Sequence, residues 1–493
     1  MKAIYKNIRF IFLFIETSLF ILSTAAQSVN TEYFMKSSTS KTSLNPALRP
    51  EQGYVGIPGL TNFYVGYKTN TFNLENFIFP GGPAGSGYNS VTFLHQGVTA
   101  DQFLKNISDK NYLNFDFAWT IASVGFYEGD GFWTIDLGVK SNVDFNLPKD
   151  VFKFAKQGLV TSEGESVPGY DLKDIRGKAT GYAELGVGHS RPFLDNKLVV
   201  GVKAKLLFGL ANADLRVKQL SMNTGMDEWS IESQATLEAS MKGFKPDYGE
   251  DKFFNGFKED GSKGLGGFGL GFDLGATYKL SGLADALNGV IDEEVLDRFT
   301  ISAALTDIGF ISWSGNSSMY LATDPSSTPI AGNFEINFGG EGKSLGDQIN
   351  DIGNTLKDAV NLKDTDGSKG RTTGLRTKMN WGLEYEFIKD QLSAGILSTT
   401  QFTPIRNVTE FTLSGAYKPA SWFEAGLSYS FVHSNFNTFG LALNFVPAKG
   451  LNLFLASDYI IPHVNSDFMP TTSKALNFQF GLSVPLGGSK RTN

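Results

Sequence analysis

Along most of the chain, apolar and polar residues take turns one by one. In residues 475–486 one set is Leu476, Phe478, Phe480, Leu482, Val484 and Leu486, and the other is Ala475, Asn477, Gln479, Gly481, Ser483 and Pro485. Phe423, Ala425, Leu427, Tyr429 and Phe431 alternate with Glu424, Gly426, Ser428 and Ser430, and Phe439, Leu441, Leu443 and Phe445 with Gly440, Ala442 and Asn444. Upstream, Phe268, Leu270, Phe272 and Leu274 interleave with Gly269, Gly271, Asp273 and Gly275, while Val200, Val202 and Ala204 interleave with Gly201, Lys203 and Lys205. A period of two sends successive side chains to opposite faces, so these segments are predicted to be β-strands with one apolar and one polar face.

Strand length and rhythm narrow the choice. The alternating segments run to about ten residues or more, enough for a tilted strand to cross a bilayer, whereas strands of soluble sandwiches average about five or six. Short and long connectors take turns: Lys389-Asp390 is short, residues 400–408 long, 418–420 short, 433–436 intermediate, 447–449 short and 461–473 long. That is the turn-then-loop rhythm of outer-membrane hairpins, with the short turns on the periplasmic side. Unpaired backbone groups in hydrocarbon cost several kcal/mol each, so strands in lipid must close on themselves. The pattern therefore predicts an all-β fold, a transmembrane antiparallel barrel of about 14 strands. Asp136, Lys140, Lys203, Lys205, Asp273, Lys279, Glu384, Glu386 and Glu424 all fall on the polar set and are expected to face the lumen, either as solvated side chains holding one another or as a path for a charged substrate. Tyr64, Tyr67, Trp313, Trp381, Trp422 and Tyr459 fall near strand ends, where interfacial girdles are found.

Composition supports this picture. The 493 residues include 55 Gly and 42 Phe, only 19 % are charged, and Lys+Arg 43 against Asp+Glu 50 leaves a net charge of −7 with no basic face for nucleic acid. No cysteine is present, which removes disulfides, thiolate metal sites and cysteine nucleophiles. Lys2, Lys6 and Arg9, the apolar run 10–22 and Thr24-Ala25-Ala26 have the layout of a cleaved secretory leader over residues 1–26, although an uncleaved anchor has similar features. After it no run of apolar residues is long enough for a membrane helix.

Some segments do not alternate. Residues 281–298 and 341–366 have apolar residues at helical spacing and are expected to form short amphipathic helices in loops. Residues 210–265 are expected to form a long surface excursion around a strand over 229–240, and "DTDG" at 364–367 a turn, since the later ligands of a calcium loop are missing. The four histidines, His95, His189, His433 and His463, form no zinc pair, and neither a nucleophile elbow nor a phosphate loop occurs. Only His433 and His463, with Asp458 and Asp467 nearby, offer an Asp-His pair of the kind a surface hydrolase uses. The expectation is no enzyme, no metal and no cofactor.

Two stretches, "NPALRPEQGYVGIPGL" at 45–60 and "LTDIGFISWSGNSSMY" at 305–320, resemble outer-membrane barrels of Bacteroidota grouped as domain of unknown function 5723; "LFLASDYIIP" at 453–462 is similar to that family's penultimate strand. The family in turn looks like a relative of the long-chain fatty-acid (FadL-like) transporters and of the PorV-like barrels of the type IX secretion system. In the fatty-acid transporters an N-terminal Asn-Pro-Ala segment folds into the lumen as a hatch, and Asn45, Pro46 and Ala47 match it. Pro46 and Pro50 fix φ and cannot donate to a ladder, which suits an irregular plug; a tail tucked under the periplasmic rim is the alternative. The resemblance thus implies a leader (1–26), a hatch or plug (27–60) with Asn45, Pro46, Ala47 and Pro50 as gating residues, a barrel (61–486) and a tail (487–493). It implies an outer-membrane location, and either a passive conduit for small hydrophobic molecules or a structural barrel that binds another envelope protein through its loops.

Overall fold

The computed structural model describes residues 29–489 apart from 81–89, 94, 96, 158–169, 225–228, 248–255, 260, 262–263, 284–291, 316–317, 324–361, 365–369, 433–437, 449 and 461–473. The leader falls outside the described residues, as do His433, His463 and Asp467. A closed antiparallel barrel of 14 strands dominates, in the number that the alternation predicts. In chain order the strands are β1 (Gln52–Gly56, resuming as Asn62–Thr69), β2 (Lys110–Glu128), β3 (Gly131–Pro148), β4 (Ile175–Phe193), β5 (Leu198–Thr224), β6 (Gly267–Lys279) and β7 (Phe299–Trp313). They continue as β8 (Arg371–Gly374, resuming as Lys378–Ile388), β9 (Leu392–Gln401), β10 (Val408–Ala420), β11 (Phe423–Val432), β12 (Phe439–Ala448), β13 (Leu451–Ser457) and β14 (Ala475–Ser489). Each pairs with the next, and β14 closes the ring on both pieces of β1.

The strands are inside-out relative to a water-soluble core. On β11, Glu424 is 1 % exposed and Leu427 64 %; on β6, Asp273 is 1 % exposed and Phe272 51 %. Polar side chains are buried in the lumen while apolar ones stand outward around the ring, an arrangement that hydrocarbon stabilises and water does not. Tight connections at Gly129-Asp130, 194–197, 389–391 and 421–422 gather at one rim; the longer connection 280–298 between β6 and β7 joins them there, and the other long connections lie at the opposite rim. At the long-loop rim a separate phenylalanine cluster forms, in which Phe72, Phe77, Phe93, Phe103 and Phe152 pack ring on ring over the ends of β2 and β3. The alternation rule does not detect it because its residues come from short helices (Phe77, Phe103, Phe152) and turns rather than from strands.

Several expected boundaries move. The wall starts at Gln52, not 61: Tyr54 and Val55 pair with β14 and β2, and only the bend at 57–61 leaves the ladder. At the other end β14 runs on to Ser489, beyond the expected end at 486. The excursion at 210–265 begins as a continuation of β5, which forms a long hairpin with Trp229–Met241 and then Ser318–Thr323. Above the rim both faces meet water, so the apolar half of the alternation fades although the ladder continues. Within 281–298 the described pieces are a 3-10 turn (Leu280–Leu283) and a short helix (Glu293–Asp297); within 341–366 only Leu362–Asp364 is described, a short strand paired with Ser318–Thr323, and the apolar residues that suggested a helix there lie outside the described residues. Of the aromatics expected in girdles, Trp381 and Trp422 are exposed, but Tyr64, Trp313 and Tyr459 are turned into the lumen. Two of these satisfy a polar atom there, Trp313 Nε1 donating to Thr373 Oγ1 (2.8 Å) and Tyr459 OH to Glu410 (2.7 Å).

Candidate functional site

The lumen is occupied by the chain's own N-terminal segment, residues 29–50. It has little regular structure beyond two 3-10 turns, Asn30–Glu32 and Ser40–Ser43, so its backbone groups need partners from the wall. Asp458, just past β13, accepts the N–H of Asn30 and of Thr31 (both 2.9 Å) and the Thr31 hydroxyl (2.6 Å). Gln479 on β14 accepts the N–H of Val29 at 2.8 Å, and Thr31 Oγ1 lies 2.6 Å from Ser428 Oγ on β11. Glu424 accepts the N–H groups of Lys36 (2.6 Å) and Ser37 (2.7 Å), and the Lys36 ammonium is paired with Glu386. Glu384 lies two residues before Glu386 on the same strand, with Lys36 within its electrostatic reach. The segment descends from the long-loop half to the short-turn rim, where Arg49 Nη1 donates to Asp130 O (2.8 Å) and Tyr127 OH to Pro50 O (2.6 Å).

Asn45, Pro46 and Ala47 fit a seat made by two missing side chains. Gly201 on β5 and Gly275 on β6 are directly paired neighbours on the inner wall. A β-carbon on Gly275 would overlap Asn45 Oδ1 and stand 2.9 Å from Pro46 Cδ; one on Gly201 would overlap the Pro46 carbonyl and come within 2.5 Å of Ala47 N. Asn45 is fully buried: its Nδ2 donates to Tyr33 OH (3.2 Å) and faces the carbonyls of Ala276 and Ala303 (3.4 Å each), while its Oδ1 accepts the N–H of Ala47 (2.9 Å). That last bond is the local turn an asparagine before proline favours.

Beside the segment the wall carries a buried charge cluster. Lys203 pairs with Asp136 (2.5 Å), Lys205 with Asp273 (2.7 Å) and Asp307 (2.6 Å), and Lys140 with Glu184 (3.0 Å) and Asp307 (3.1 Å). Asp307 occupies a bulge of β7 at φ 55°, which frees its N–H to donate to Asp273 at 2.7 Å. Between this cluster and residues 39–44 remains a polar cavity of about 50 Å³, room for a few waters and nothing larger. Among the described residues no group of His, Asp and Glu side chains is arranged to hold a metal ion.

The structure therefore brings the named sequence candidates into one lumen in three groups: Asn45, Pro46 and Ala47 at the glycine seat; Glu384, Glu386 and Glu424 around Lys36; Asp136, Lys203, Lys205 and Asp273 in the cluster. Pro50 stands apart at the short-turn rim. Sequence reasoning missed Glu184, Asp307, Arg376 and Lys378; Asp307 and Arg376 sit at breaks in the alternation, whereas Glu184 and Lys378 lie on the polar set of runs that alternate cleanly and could have been named. It read Asp458 as part of a loop Asp-His pair, whereas the carboxylate is committed to Asn30 and Thr31. The glycines of the polar set were visible as spacing, but only a partner segment reveals why they lack side chains.

Residues 46–458 match the family profile described as "Family of unknown function (DUF5723)". Among solved structures the chain is similar to the toluene transporter TbuX of Ralstonia pickettii, at 9 % identity over 91 % of this chain and 93 % of that one with a TM-score of 0.39. It is also similar to the toluene transporter TodX of Pseudomonas putida (10 % identity, 94 % of each chain, TM-score 0.35) and to the translocator domain of the autotransporter NalP of Neisseria meningitidis (8 %, 89 % and 90 %, 0.33). No curated protein sequence matches the chain. Likenesses this slight leave function to the chemistry of the lumen.

Proposed function

The chain belongs to the family of unknown function (DUF5723), and on the geometry of its lumen we propose that it is an outer-membrane conduit for small hydrophobic molecules, with residues 29–50 as a displaceable hatch and no catalytic chemistry of its own. The outward apolar belt supports the membrane location. One observation carries the functional reading: the segment covers apolar wall residues that face inward among the polar ones of the lumen. Leu397 packs against Tyr33, Phe34 and Leu44, while Ala416, Ala442, Phe454 and Ala456 cluster with Val29 and Met35. Displacing the segment would expose that apolar surface to a solute, and the residual cavity of about 50 Å³ admits no such solute while it is seated. The polar contacts that help to hold it are hydrogen bonds and ion pairs, which can exchange for water. Resemblance of the Asn45-Pro46-Ala47 segment to the hatch of fatty-acid transporters agrees in the class of cargo. The scaffold reading draws no support from the described residues.

A cysteine staple tests this. The chain contains no native cysteine, and the γ-oxygens of Thr31 and Ser428 face each other at 2.6 Å, so Thr31→Cys with Ser428→Cys should lock the hatch to β11 when oxidised. In proteoliposomes, uptake of a small aromatic hydrocarbon is expected to fall to the empty-liposome level on oxidation and to recover with reductant. Equal uptake in both states would remove the hatch from the mechanism.

A further inference from the structure

We infer that the lumen has a second closure, in series with the N-terminal segment: a pair of charged struts that cross its long-loop half. The first is Arg376. It sits where β8 leaves the ladder between Gly374 and Lys378, the break being held by Leu375 N–H donating to Gly309 O (2.9 Å) and Thr377 Oγ1 to Asp307 O (3.2 Å). From there the guanidinium reaches across the ring to β2 and β3, with Nη1 on Asp116 Oδ1 at 2.5 Å and Nη2 on Asp144. All three side chains are buried. The second is Lys68 of β1, whose ammonium meets Glu410 of β10 at 2.8 Å, and Glu410 is steadied by Tyr459 OH.

Both struts lie toward the long-loop rim. Lys68 is in register with Asn114 and Ala475, near the rim ends of β2 and β14, and Asp116 is in register with Gly66 one turn of the pleat below. Among the described residues none of these five charged groups hydrogen-bonds the N-terminal segment, whose anchors are Asp458, Gln479, Glu424, Glu386 and Asn380. Unseating the segment therefore removes no partner from either strut. A fork of one guanidinium on two carboxylates from adjacent strands is the strong, directional form of ion pair, and breaking it would leave buried charges uncompensated. The struts thus stay shut when the hatch moves, and the lumen opens only when both yield.

The inference rests on the conduit reading for its purpose, yet small ions report the closure whether or not a hydrophobic solute passes. In planar lipid bilayers, KCl conductance is compared for the full-length parent, a seat-filled variant (Gly201→Val, Gly275→Val), a strut-free variant (Arg376→Ala, Asp116→Asn, Asp144→Asn, Lys68→Met, Glu410→Gln) and their combination. Carboxylates are changed with their cations so that no charge is left unpaired. Either set alone is expected to stay within about twofold of the parent, and the combination to conduct about tenfold more or better. Seat-filled protein that conducts as well as the combination would overturn the second closure, as would a combination that stays shut while protease cleavage shows its segment released. Restoring Arg376, Asp116 and Asp144 should close the combined variant again, and failure to do so would remove Arg376 from the role. Ion conductance without uptake of an aromatic hydrocarbon would leave the struts standing and end the conduit reading. If the strut-free barrel fails to assemble, Arg376→Lys in the seat-filled chain keeps the charge but loses the fork; it is expected to conduct at an intermediate level, and parent-level conductance would count against the inference.

Discussion

At the scale of single residues, the site is defined as much by absent atoms as by present ones. Gly201 and Gly275 leave room for the Asn45-Pro46-Ala47 turn, so a larger side chain there should expel the segment without harming the strands, valine being a good strand former. Overpacking costs about 1–3 kcal/mol, and at 1.4 kcal/mol per tenfold the segment of a Gly275→Val variant should be exposed roughly five to a hundred times more often. The measurement is trypsin cleavage at Lys36 or Lys41 in detergent, and a cleavage rate equal to the parent's would show that the seat is not required. Asp458 makes a complementary case, because one carboxylate accepts two backbone N–H groups and a hydroxyl. Asp458→Asn removes charge-assisted acceptance worth about 1.5–3 kcal/mol, so amide exchange at Asn30 and Thr31 should accelerate by a corresponding factor while amides in β11 keep their protection.

At the scale of elements, the strands were legible because period two survives averaging over composition: each apolar residue in the alternating run of β14 or β11 has a polar neighbour, and the fold turns the polar one inward. What was not legible follows from local breaks in that period. The bulge at Asp307 shifts the parity of β7, so residues with odd numbers face out before it (Ile301, Leu305) and in after it (Ile311, Trp313). A rule that carries one parity along the strand puts Trp313 in a girdle when it fills the lumen. The same holds for Arg376, which the break in β8 frees to point across the ring. The candidate site was half legible: an Asn-Pro-Ala turn and inward carboxylates could be named, but which carboxylate meets which backbone group depends on how strands distant in sequence are placed around the ring. Leu427 tests the facing directly, since it stands outward at 64 % exposure while its neighbour Ser428 touches Thr31. Leu427→Arg places a charge in hydrocarbon at a cost of roughly 2–4 kcal/mol, to be read as a lower urea midpoint for unfolding from lipid vesicles. An unchanged midpoint would mean that this face of β11 does not meet lipid.

At the scale of the whole molecule, one polarity organises everything: apolar outside, polar within, and a polar-backboned segment filling the interior. Tryptophan reports this without any assumption about cargo. Trp381 is 47 % and Trp422 53 % exposed on the outer face, whereas Trp313 is 1 % exposed inside, packed against Gly209 and Gly267. A lipid with bromine on its acyl chains quenches an indole only on contact, so a chain retaining Trp381 or Trp422 alone, with the other tryptophans changed to phenylalanine, should lose most of its emission in brominated vesicles. A chain retaining Trp313 alone should keep its emission. The outcome that would dismantle the membrane reading is the reverse ranking, or equal quenching of all three, because a soluble β-structure with a dry interior would shelter Trp381 and Trp422 as readily as Trp313. Aqueous acrylamide applied from both sides gives the second axis: it should reach Trp313 poorly in the parent and better in the combined seat-filled and strut-free chain, since that indole borders the same lumen the segment and the struts close.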